Sequence, residues 1–122
     1  MRKIVLLATL IPLTVLAEEL LPEQVVLNVL NAMKTGNCDA IAANSFGNLQ
    51  TTRQLRLNCE RDRDIFKDVF IAVKEFRVRH VQINGDKAWV QVELVMLDDN
   101  TPNGRENYRA IRTEQGWKAY FF

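Results

Sequence analysis

At Lys74 the spacing of apolar residues changes from a helical repeat to alternation, and this change of period dictates helices first and an antiparallel sheet afterwards. Upstream, Val25, Val26, Val29, Leu30 and Met33 form one stripe between Pro22 and Lys34. Pro22 suits a first turn, Glu23 the positive end of the helix dipole, and Gly36 a terminus. Asn37 is placed to cap a short second helix from Cys38 to about Phe46, with Asp39 in its first turn, Ala40, Ile41 and Ala43 as its apolar face, and Gly47 at its end. The polar, basic stretch from Asn48 to Asn58, which contains Leu49, Leu55 and Leu57, reads as a loop or a weak helical turn. A third helix is predicted over Glu60 to Val73, with Ile65, Phe66, Val69, Phe70 and Val73 as its stripe. Its charged residues, among them Asp64, alternate in sign and read as a solvated face.

Downstream the chain reads as a four-stranded meander: Glu75 to Ile83, Lys87 to Leu97, Arg105 to Thr113 and Trp117 to Phe122. Asn84-Gly85 is a hairpin signal, because both central residues of a type I′ turn need positive φ. The stretch Asp98 to Gly104 makes a longer loop, and Glu114-Gln115-Gly116 closes the last hairpin. Strand two carries one apolar face: Ala88, Val90, Val92, Leu94 and Met96. In strand one Phe76 and Val78 are followed, one residue out of phase, by Val81 and Ile83. That slip predicts a β-bulge near Arg79-His80, which would let all four face one core and bend the sheet.

The N-terminus carries a second kind of pattern. Met1-Arg2-Lys3 is a basic start, Ile4 to Leu16 is an apolar run shorter than the roughly 20 residues that span a bilayer, and Val15-Leu16-Ala17 precedes Glu18-Glu19 with cleavage-site spacing. The expectation is a Sec-type signal peptide over residues 1–17, cleaved after Ala17, and a periplasmic or secreted domain over residues 18–122 with no membrane span. In an oxidising compartment the two cysteines, Cys38 and Cys59, read first as a disulfide, with two separately buried thiols as the alternative. Closing the loop between them would be worth about 3 kcal/mol. A single histidine argues against zinc, and the cysteine spacing lacks the CxxC of thiol redox sites, so no metal or cofactor is expected. The 16 basic residues against 15 acidic ones give a formal charge of +1. Without Arg2 and Lys3 that balance turns slightly acidic, which is no footprint for nucleic acid.

Three further segments carry a resemblance: the opening helix with Lys34-Thr35-Gly36-Asn37-Cys38-Asp39-Ala40, the hairpin from Val81 to Val92, and the ending from Tyr108 to Lys118. Together they make the chain similar to the nuclear transport factor 2-like domains of the broad cystatin-like α+β architecture, in particular to small exported bacterial members without assigned chemistry. The resemblance implies a cone-shaped fold in which N-terminal helices pack on a curved four-stranded antiparallel sheet. It implies a pocket inside the cone and, in many members, dimerisation through the sheet. Its members include ketosteroid isomerases, dehydratases and polyketide cyclases as well as protein-binding modules.

Such enzymes use a carboxylate base, or an acid/base pair with Tyr or His, desolvated inside the cone. The residues available for that role are His80 at the bulge, Glu93, Asp64 and Tyr108. Three of them have a simpler reading: a surface histidine for His80, a cross-strand ion pair for Glu93, and the solvated helix face for Asp64. Arg77, Arg79, Arg105, Arg109 and Arg112 suit anionic ligands, or else pair across strands with Glu75, Glu93, Glu106 and Glu114. Asp98, Asp99 and Asn100 lack calcium-loop spacing and read as a turn. Strand four ends with aromatics on both faces, Trp117, Tyr120, Phe121 and Phe122. With Trp89, one set would be core and the other an exposed patch for a second copy or a protein partner.

These readings make no catalytic site and favour a non-enzymatic exported binding domain, engaging a protein partner, a homodimer mate or a small hydrophobic or anionic ligand through its sheet or cone. The residues expected to contribute are His80, Trp89, Glu93, Tyr108, Arg109, Trp117 and Tyr120. The alternatives are a small isomerase or dehydratase with a pocket base, and a toxin-immunity or inhibitor protein.

Overall fold

The computed structural model describes residues 19–47 and 51–121. The expected signal peptide with its cleavage after Ala17, the loop residue Leu49 and the terminal Phe122 lie outside the described residues. Helix α1 (Pro22–Thr35) forms where the valine stripe predicts it. Gln24 Oε1 accepts from the Leu21 N–H at 2.8 Å at its start, and Gly36 ends it in the left-handed conformation at φ 75°. Helix α2 (Cys38–Asn44) is capped as expected, with Asn37 Oδ1 accepting from the Ala40 N–H at 3.1 Å. It stops two residues earlier than its sequence suggests, because Ser45 turns extended and bridges Ala119 in parallel while the Phe46 N–H donates to the Ala119 carbonyl at 2.7 Å. That pairing covers an edge that would otherwise stand open.

Helix α3 (Thr52–Phe70) differs most from expectation. It begins within the stretch read as a loop, at a capping box in which Thr51 Oγ1 accepts from Gln54 N–H (3.2 Å) and Gln54 Oε1 accepts from Thr51 N–H (2.9 Å). Its inward residues are Leu55, Cys59, Phe66 and Phe70, spaced one or two turns apart, whereas Ile65 and Val69 are 61% and 62% exposed. The helix is rotated relative to the expected stripe because the Cys38–Cys59 disulfide turns the Cys59 side toward α2 and the core. Val73, expected as the last helical apolar residue, opens the first strand instead.

The sheet is a simple meander in the order β1 (Val73–Asn84), β2 (Lys87–Met96), β3 (Gly104–Thr113), β4 (Gly116–Ala119), all antiparallel. Between Val78 and His80 the register slips by one residue, so the bulge lies where the phase change predicts it. Phe76, Val78 and Val81 consequently share the helix-facing side with Val90 and Val92. Ile83 does not join them: it is 55% exposed although its register partner Ala88 is buried. β4 ends at Ala119, three residues short of the expected end, yet the alternation persists, with Trp117 and Phe121 turned inward. The three helices cover one face of this curled sheet, and Val25, Val26, Val29, Leu30, Ile41, Val90 and Val92 fill the space between. No helix among the described residues is long and apolar enough to cross a membrane.

Candidate functional site

The helix–sheet interior is packed with apolar side chains, and the buried polar residue among those described is Ser45. None of the four acid/base candidates is buried there. Asp64 is exposed on α3. His80 is exposed at the bulge, opposite Gln91. Glu93 lies on the sheet face turned away from the helices, where Arg79 Nη1 approaches Oε1 at 3.6 Å and Asn103 Nδ2 donates to Oε2 at 3.1 Å. Tyr108 alone turns toward the helix side. It stacks on Phe121 with ring centres 4.9 Å apart, and burial, helped by the charge of Glu106, pushes its phenol up to about 12. Such a phenol stays neutral and is a poor proton donor at ordinary pH. The four side chains are therefore spread over α3 and both sheet faces instead of meeting in one pocket. No group of three or more His, Cys, Asp or Glu able to hold a metal occurs among the described residues. The Asp98 loop is a turn, its carboxylate accepting from the Asn100 N–H at 2.9 Å and the Thr101 hydroxyl at 3.3 Å.

The outer face of the sheet is different. Register places Gln82, Trp89 and Arg109 in one row across β1, β2 and β3, and the Tyr120 N–H donates to the Arg109 carbonyl at 2.9 Å just beyond β4. The Arg109 guanidinium carbon sits 4.6 Å from the Tyr120 ring centre and 5.8 Å from that of Trp89, which is 51% exposed. Phe46, held at the β4 edge, meets Tyr120 edge-on at 5.7 Å and fixes the far side of the cluster. Beside it lies a depression of about 280 Å³ whose walls include Lys87, Trp89, Arg109, Ile111 and Tyr120. Of the aromatics read from sequence, Trp117 belongs to the core at 7% exposure, Phe121 packs against it, and Trp89 with Tyr120 forms the outer patch.

The arginines divide the same way. Arg77 pairs with Glu75 at 2.8 Å and holds that carboxyl below its usual range, first by the hydrogen bond and then by its charge. Arg79 pairs with Glu93, and Arg112 reaches Glu19 at 3.2 Å. Neither Arg105 nor Arg109 has an ion pair among the described residues, and Glu106 and Glu114 hold none of the strand arginines. The expected cross-strand pairing thus occurs for part of the set and leaves Arg109 to the aromatic rings.

No protein-family model matches the chain, and no curated protein does. Solved structures do. A Campylobacter jejuni protein described as a candidate transpeptidase of the nuclear transport factor 2-like type superposes with a TM-score of 0.61 at 15% identity, over 83% of this chain and 98% of that one. A protein described by a nuclear transport factor 2 label and a long sheet superposes with a TM-score of 0.53 at 14% identity, over 81% of this chain and 94% of the other. At such identities the likeness speaks to architecture and not to chemistry. Helices on one face of a curled four-stranded antiparallel meander, closed at β4 by the Ser45–Phe46 segment, make this chain a nuclear transport factor 2-like α+β fold.

Proposed function

We propose that this chain is an exported, non-catalytic binding domain that works through the outer face of its sheet. The observation that carries the reading is Arg109 held between Trp89 and Tyr120 on an exposed strand surface, with no carboxylate of the described residues taking its charge. An exposed tryptophan and a half-buried tyrosine flanking a guanidinium are the kind of surface that contributes most to association. Export rests on the leader pattern of residues 1–17, and the Cys38–Cys59 disulfide is compatible with it. Cleavage after Ala17 would leave Glu18 as the first residue in an intact mass spectrum. An isomerase or dehydratase reading would require a desolvated base, and His80 and Asp64 are exposed while Glu93 is already ion-paired.

The test is native mass spectrometry of the chain purified from cells that export it, compared with a Trp89→Ala, Arg109→Ala double variant. A bound species present on the wild type and lost from the variant is expected. A small molecule held equally by both proteins would place binding elsewhere and overturn the proposal, as would an empty wild-type chain.

A further inference from the structure

The outer face concentrates positive charge that the whole-chain total conceals. Alternation and register turn Arg77, Arg79, Lys87, Arg105 and Arg109 away from the helices, against only Glu75 and Glu93, each of which already pairs with an arginine. Lys118 is engaged with α2, donating to the Ala43 carbonyl at 2.6 Å. Lys87, Arg105 and Arg109 are left without an ion pair among the described residues. From the register, Lys87 and Arg109 are two residues apart along the strand direction, and Arg109 and Arg105 four. At about 3.3 Å per residue the three cations span about 20 Å, with gaps of about 7 and 13 Å.

We infer that the partner is an acidic polypeptide segment that lies extended along β2 and β3, with alternate carboxylates on Lys87, Arg109 and Arg105. This rests on the reading above and names its ligand. Same-face side chains of an extended chain repeat at about 7 Å, so positions one, three and seven of such a segment match the three cations. Arg109 has its faces against Trp89 and Tyr120, which leaves its N–H edge for a carboxylate fork. A second copy of this chain does not fit. An isologous pairing would set one basic face on another, and like charges across an interface oppose association. Nucleic acid is the weaker match because the chain as a whole, at a formal charge of +1, has almost no net positive charge to attract a polyanion.

The experiment is calorimetric titration of the purified chain with acetylated octaglutamate at low ionic strength, with octalysine and a thymidine dodecanucleotide as comparisons. Octaglutamate should bind, more weakly as salt rises, while octalysine should not. Arg109→Gln should weaken the binding about tenfold, the loss of one charge-assisted contact. Lys87→Gln should weaken it in the same direction, and Arg53→Gln on α3, away from the sheet, should change it less than about twofold. Unaltered thermal melts of these exposed-site variants would verify their folding. Absence of octaglutamate binding, equal loss in the Arg109 and Arg53 variants, or tighter binding of the oligonucleotide would each overturn the inference. If octaglutamate fails while the mass-spectrometric difference between wild type and the Trp89, Arg109 variant persists, the acidic ligand is wrong and the outer face stands.

Discussion

Opening the Cys38–Cys59 bridge should cost about 3 kcal/mol of unfolding free energy. The bridge joins α2 to the first half of α3 across 21 positions of sequence, and closing a loop of that length removes about 11 cal/mol/K of entropy from the unfolded chain, or about 3 kcal/mol at room temperature. The effect should concentrate on α2, which at seven residues is too short to hold helical structure without packing. Cys38 and Cys59 are both buried in the core, so Cys38→Ala with Cys59→Ala also removes two sulfur atoms from packed sites, whereas reduction of the wild type removes only the cross-link. Urea unfolding of the oxidised, reduced and doubly substituted proteins separates these contributions. The reduced protein should lose about 3 kcal/mol, equivalent to roughly 15 °C in Tm for a domain of this size, and the double alanine variant somewhat more. A reduced protein with the same midpoint and slope as the oxidised one would show that the bridge contributes no such stability.

Tyr108 should titrate late. Its folded value of about 12 lies above the 10.0 of an ordinary tyrosine, so its contribution to stability is fully present below pH 10.0 and is lost as pH rises through about 12. Absorbance at the tyrosinate band should contain a step near 12 that disappears in Tyr108→Phe; a complete transition by pH 10 would contradict its burial. Gly85 sits at φ 64° in the β1–β2 turn with open space where a Cβ would point, so Gly85→Val should cost about 1 to 2 kcal/mol through backbone strain alone and Gly85→Asn clearly less. Equal melting temperatures for the two variants would refute that. Thr51→Ala should cost about 1 kcal/mol by removing the α3 cap, an effect readable in the denaturation midpoint.

The sheet was more legible in sequence than the helix packed beside it. One out-of-phase pair, Phe76-Val78 against Val81-Ile83, was enough to locate the bulge, because side-chain alternation leaves little freedom once a face is buried. α3 was harder because its inward residues are separated by charged turns and one of them is a cysteine, so periodicity favoured the richer but exposed Ile65 and Val69. The signal that would have recovered its start is Thr51-Thr52-Arg53-Gln54, a capping-box spacing inside a stretch that otherwise looks like loop. The site residues were visible singly, but their grouping was not. Trp89, Arg109 and Tyr120 come together through two strand pairings, and the basic outer face vanishes in a whole-chain charge of +1 because the carboxylates lie mostly elsewhere. Summed charge carries no information about which side of a sheet holds it.

On the proposed reading the outer sheet face binds while the packed interior only supports it. Amide chemical shifts of the isotopically labelled chain, followed during addition of acetylated octaglutamate, test this directly. Perturbations should be confined to the Gln82, Lys87–Gln91, Arg105–Ile111 and Lys118–Tyr120 segments, with the α1 amides of Val25 to Met33 unmoved. Perturbations centred on α1 and the core, with the outer strands silent, would contradict it.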